Sequence, residues 1–171
     1  MKKALKIIIV LLVVSLLGYL AFNVIAKMQY KNEVVNTLKT IPEFSFKTFD
    51  STNFTNANLK PNTATVFIYF NSECDFCQHE AQNISDNLAQ FKNTQLLFVS
   101  TENIETIKAF AKTYNLLNQQ NITFLNDSTY TFSNRFDANS IPYLLIYNSN
   151  QELVKKHKGQ LKTEAILKLL K

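Results

Sequence analysis

Thr65-Val66-Phe67-Ile68-Tyr69-Phe70, then Asn71-Ser72-Glu73, then Cys74-Asp75-Phe76-Cys77: this stretch decides how the chain is read. The β-branched and aromatic run predicts a buried strand. Gln78 to Ala89 predicts a helix with Ala81, Ile84, Leu88 and Phe91 on one face. Two cysteines separated by two residues therefore fall where a strand ends and a helix begins. There, unpaired backbone N–H groups and the positive end of the helix dipole favour a thiolate. These are the only two cysteines in the chain.

Outward from that centre, strands and helices alternate. Upstream, Phe44 to Phe49 alternates like a half-buried strand. The turn residues Asp50, Ser51 and Asn53 lead to a second short strand at Phe54. Downstream, Gln95–Ser100 reads as a strand, Asn103–Asn115 as a helix burying Ile104, Ile107, Ala111 and Tyr114, and Ile122–Leu125 as a strand. Thr129–Phe136 reads as a short helix. Pro142–Tyr147 and Glu152–Lys156 read as a hairpin about the turn Asn148-Ser149-Asn150. Gly159 breaks it, and Thr163–Leu170 is a closing helix. The fold class expected is α/β: a mixed central sheet with helices on both faces and an N-terminal β-hairpin extension.

With 171 residues the chain is long enough for one domain and an appendage. The net charge of +5 comes largely from lysines at the two ends, not interleaved with aromatics along one element. That distribution argues against a nucleic-acid partner. Residues 1–26 form the appendage. Lys2, Lys3 and Lys6 precede an apolar run from Ile7 to Ala26, roughly 30 Å long as a helix at about 1.5 Å per residue. The expectation is a retained transmembrane anchor, with Val24-Ile25-Ala26 a poor site for signal cleavage. Lysines ahead of the span keep the N-terminus cytoplasmic and the domain outside. Residues 27–41 read as a polar helical spacer, and 42–171 as the domain.

The chemistry reduces to few residues. A Cys-x-x-Cys beside a βαβ pattern reads as a redox dithiol. Cys74, at the helix start, is the expected nucleophile. Cys77, more buried, is expected to resolve the mixed disulfide. An inert bridge over so short a loop would add little stability. Zinc needs about four nitrogen or sulfur ligands, and only His79 and His157 could join the two thiols. No metal or cofactor is expected. Glu80 follows Cys77 by three residues on the same helix face. Its spacing fits either a solvated carboxylate or a buried group that moves protons for Cys77. Ile141-Pro142 opens a strand, where a proline need not donate to the ladder. Glu73 and Asp75 flank Cys74 and no cation lies in the loop. The dithiol is therefore expected to be reducing, below about −220 mV.

From about Pro42 to Leu170 the pattern resembles the thioredoxin superfamily, specifically the membrane-anchored bacterial thiol–disulfide oxidoreductases of the ResA/TlpA group. The stretches that carry the resemblance are Val66–Glu80 and Ser140–Tyr147, followed by the hairpin and Gly159. It implies a thioredoxin-like sheet, a cis Pro142 packed beside the dithiol, and backbone pairing of Ile141 with substrate. Asp75 and Phe76, between the cysteines, complete the expected substrate-binding set. Cys74, Cys77 and Glu80 look like the Cys-x-x-Cys-x-x-Glu variant with a buried glutamate. The implied partners are protein disulfides and a membrane thiol electron donor, in cytochrome c maturation or envelope redox homeostasis. Three positions depart from the superfamily: Glu73 replaces a tryptophan, Phe76 a proline, and Ile68 the aspartate of thioredoxin itself. Two other readings stay open. A peroxiredoxin-like peroxidase would need Thr or Ser and Pro where Asn71 and Phe67 stand. A non-catalytic module could carry copper(I) on two thiolates and a histidine.

Overall fold

The computed structural model describes residues 2–170. The chain divides into two compact units, Met1–Thr37 and Leu38–Lys171. The first lies in one helix, α1 (Lys2–Leu38), which continues without a break into the predicted spacer and ends at Leu38, ahead of its expected limit at 41. Its stretch Leu11–Leu38 is 28 residues of mainly apolar sequence, exposed along its most apolar part, and long enough to cross a membrane.

The second unit is built on a sheet of seven strands in the order β2-β1-β5-β4-β3-β6-β7. The strands are β1 (Ser45–Lys47), β2 (Asn53–Thr55), β3 (Ala64–Tyr69), β4 (Thr94–Ser100), β5 (Ile122–Asn126), β6 (Tyr143–Tyr147) and β7 (Leu153–Lys158). β3, β4 and β5 run parallel, in register from Ala64↔Thr94 to Tyr69↔Val99 and from Leu96↔Ile122 to Ser100↔Asn126. β6 pairs antiparallel to β3, and β7 to β6. The hairpin β1–β2 extends the sheet beyond β5. This is the thioredoxin-like mixed sheet, with the predicted N-terminal hairpin in place.

β3 is buried from Thr65 through Phe70 because both of its faces are covered. Alternate residues of a strand point to opposite faces. Val66, Ile68 and Phe70 join one apolar cluster with Ala81 and Ile84 of α2 (Asp75–Asp86), Ile107, Phe110 and Ala111 of α3 (Ile104–Thr113), and Ile166 of α5 (Thr163–Leu169). Phe67 points the other way. Its ring meets Phe44 edge-on at 5.5 Å and packs on Phe132 at 5.7 Å and Phe136 at 5.3 Å. Phe132 lies in α4 (Thr131–Arg135), so the predicted arrangement of helices on both faces holds. The second face is covered mainly by aromatic rings from the hairpin and this five-residue helix.

Several local signals account for the element ends. Asn103 caps α3 by accepting from Thr106 N–H at 2.8 Å. Asp127, fully enclosed after β5, accepts from the Thr131 and Phe132 amides at 3.0 and 2.6 Å and so holds the start of α4. Two predictions shift. α2 begins at Asp75 rather than Gln78, because Cys74 itself serves as its N-cap. Within α3, Phe110 is buried, whereas Ile104 and Tyr114 are only partly covered. Leu38 is buried and the Leu153 amide donates to Lys39 O at 2.9 Å, so packing of the second unit reaches back ahead of Pro42.

Candidate active site

β3 delivers the chain to the C-terminal edge of its parallel neighbours, where open α/β sheets gather functional groups. After Phe70 the backbone makes a tight turn: Cys74 N–H donates to Asn71 O at 3.3 Å, and Glu73 N–H to the Asn71 side chain at 2.9 Å. That turn places Cys74 at the N-cap of α2, where its sulfur accepts from the Cys77 amide at 3.3 Å. The first turn of α2, which begins with the two residues between the cysteines, thus aims the Cys77 amide and the positive end of the helix at the Cys74 sulfur.

The two thiols are unlike. Cys74 is partly exposed, whereas Cys77, one turn into α2, retains 2% of its surface. Burial first, and then the hydrogen bond with Cys74, push the Cys77 thiol well above the ordinary thiol range; negative charge on Cys74 and Glu80 adds to this. A backbone hydrogen bond from Asn71 pulls it the other way.

Glu80 lies one turn beyond Cys77 and is completely buried. Of its two alternatives, the buried carboxyl is the one found. Its Oε2 accepts from the Leu161 amide at 2.7 Å, while Oε1 is buried without a partner. Burial raises its pKa to about 7, against the opposing pull of the Leu161 amide. Near neutral pH the group is therefore poised between carboxylic acid and carboxylate.

The other predicted residues collect at the same end of the sheet. The Ile141–Pro142 peptide bond is cis. β6 pairs with β3 as far as Tyr69↔Tyr143, so Ile141 and Pro142 lie at the end of β3 from which the cysteine turn departs. Pro142 O accepts from Gly159 N–H at 2.8 Å. Asp75 and Phe76, in the first turn of α2, face solvent; Phe76 is 63% exposed and Ile141 40%, both high for such apolar side chains.

One neighbour of the dithiol turn escaped the sequence reading. Glu102, just past β4, accepts from Ser72 N–H at 2.8 Å and from the Ser72 hydroxyl at 2.5 Å. The only sequence signal for it is position: it follows a parallel strand at the end where the dithiol sits.

Comparison with other proteins agrees with the fold. DsbF of Mycobacterium tuberculosis superposes with a TM-score of 0.64 at 18% identity, covering 78% of this chain and 93% of that one. A secreted M. tuberculosis disulfide oxidoreductase, described as homologous to E. coli DsbE, gives 0.62 at 20% identity over 78% and 96%. StoA of Bacillus subtilis gives 0.59 at 17% identity over 77% and 98%. A comparison with curated proteins found no match. The AhpC/TSA family profile matches residues 38–157, from the first buried residue of the second unit to the penultimate residue of β7. The chain belongs to the AhpC/TSA family, as a thioredoxin-like member.

Proposed function

We propose that this protein is a thiol–disulfide oxidoreductase that reduces protein disulfides outside the cytoplasm while tethered to the membrane by α1. The observation that carries the reading is the asymmetry of the dithiol: an accessible Cys74 capping a helix, and an enclosed Cys77 one turn behind it. The Cys74 thiolate attacks one sulfur of a substrate disulfide. A mixed disulfide forms and the second substrate sulfur leaves as a thiolate. Cys77 then gives its proton to Glu80 or to water and attacks the Cys74 sulfur. The substrate departs as a dithiol, and the protein retains the two-electron oxidised Cys74–Cys77 bridge. The Glu80 carboxyl, with a pKa of about 7, is matched to taking that proton near neutral pH.

Substrate would lie against Phe76 and Ile141, with Asp75 and Pro142 beside them. An oxidised product needs a donor for the next cycle, and in an exported compartment a membrane thiol carrier fills that role. The fold shared with the secreted M. tuberculosis disulfide oxidoreductase supports this reading.

The test is reduction of insulin disulfides by the full-length protein, together with a Cys77→Ser variant used to trap substrates. Turnover by the native protein and covalent partners on the variant support the reading. Peroxide consumption without disulfide turnover would replace it with a peroxidase. Neither activity, together with tight copper(I) binding, would replace it with a carrier.

A further inference from the structure

The turn that presents the dithiol is held at Ser72 by two side chains, Glu102 from beyond β4 and Gln78 from α2. Ser72 is gripped on three sides. Its N–H and hydroxyl both donate to the Glu102 carboxylate, and its carbonyl accepts from Gln78 Nε2 at 2.8 Å. Glu102 is itself fixed. Ser100 Oγ donates to Oε2 at 3.0 Å, the Glu102 amide donates to Ser100 Oγ at 3.2 Å, and Asn126 Nδ2 donates to Glu102 O at 2.6 Å. A carboxylate that receives three donors, at the ends of β4 and β5, makes a rigid anchor.

Asn71, the residue next to Ser72, is the part of this turn that reaches the thiols. Its carbonyl accepts from the Cys74 amide, and its own backbone hydrogen-bonds Cys77. The groups acting on Cys77 are Cys74 at the cap of its helix, Glu80 within that helix and Asn71 from the turn; only Asn71 favours its thiolate.

We propose that Glu102 is a positioning residue for the dithiol: by clamping Ser72 it sets Asn71, and through Asn71 it sets how readily Cys77 resolves the mixed disulfide. The rate half of this proposal rests on the exchange reaction above. The thiol half does not.

The test uses full-length protein in detergent, with two readouts. One is the rate at which Cys77 releases a preformed mixed disulfide on Cys74. The other is the pH midpoint of Cys77 alkylation, resolved by mass spectrometry. Glu102→Ala is expected to slow release by about tenfold, in line with the large penalties of small misplacements, and to move the Cys77 midpoint upward. Glu102→Gln keeps an acceptor for the Ser72 amide and a group to meet its hydroxyl. It is expected to stay within about threefold of the native rate, the size of one lost hydrogen bond. If Glu102 mattered only as a charge, both variants would move the midpoint downward alike. Any result in which Gln and Ala behave alike, or in which Ala changes neither readout, overturns the proposal. Should Glu102→Ala not fold, Ser72→Ala, which removes only the hydroxyl, takes its place. About threefold slower release then supports the clamp, and an unchanged rate overturns it. A native protein with no disulfide activity would sink the proposed function, while the alkylation midpoints would still judge Glu102.

Discussion

The Leu161 amide donates a 2.7 Å hydrogen bond to Glu80 across 81 residues of sequence, and it is the one polar partner of that carboxyl among the described residues. A buried carboxyl with one satisfied oxygen and one bare oxygen is held near its neutral form, because ionisation would leave charge in an apolar surround.

Stability should therefore fall with pH. Below about pH 4.5 the folded and unfolded chains both bind the Glu80 proton. Between there and about pH 7 the unfolded chain has released it and the folded chain has not, so folding weakens as pH rises; above about 7 this slope ends. The expected loss is about 3 kcal/mol, at about 1.4 kcal/mol per tenfold change in proton affinity. Urea unfolding at pH 5 and pH 8 measures it. Glu80→Gln should remove most of the difference, and an equal slope in both proteins would show that Glu80 is not its source.

Alkylation should discriminate the cysteines. In the reduced protein, iodoacetamide is expected to modify Cys74 well before Cys77, since only Cys74 is accessible and Cys77 is raised by burial. Mass spectrometry after short exposure reads the order directly, and faster labelling of Cys77 would reverse the two roles.

Asp127→Ala should destabilise the second unit by about 1–3 kcal/mol, as expected for a lost cap and stranded amides. The enclosed carboxylate serves Thr131 and Phe132 together, and Phe132 is part of the aromatic cover over β3. Denaturant midpoints measure the loss. Asp127→Asn, which keeps one acceptor oxygen, should recover part of it.

Fractionation tests the tether. The full-length protein is expected in the membrane pellet, and protease added to spheroplasts is expected to digest its second unit. A soluble, shortened product would replace the anchor with a cleaved signal. A protected domain would reverse the topology.

The elements most legible in the sequence were those whose signal is local. Thr65–Phe70 and Pro142–Tyr147 are apolar runs bounded by turn residues, and both are central strands. The two cysteines carry their own spacing. What escaped depends on pairs far apart in the chain. Glu102 bonds Ser72 across 30 residues, and nothing in its neighbourhood distinguishes it from a solvated carboxylate. The early start of α2 was hidden because Asp75 and Phe76 both face solvent and so lend no apolar periodicity. Phe44, Phe67, Phe132 and Phe136 each read as ordinary apolar residues of separate elements. Only the folded sheet gathers them around one ring.

The sheet ends on two unequal margins. β2 offers three residues to a passing strand, too few for a stable ladder. β7 has six; the amide of its first residue, Leu153, is already bonded to Lys39 O, Lys156 is ion-paired with Asp137 at 2.7 Å, and Lys155 and Lys158 remain along the strand. A second copy approaching margin to margin would set lysine against lysine, and such charges are what keep open strands from templating aggregates. The sequence Lys-Lys-His-Lys, an ordinary basic patch in one dimension, thus lies along the outer strand of the folded sheet, where like charges oppose strand pairing between copies.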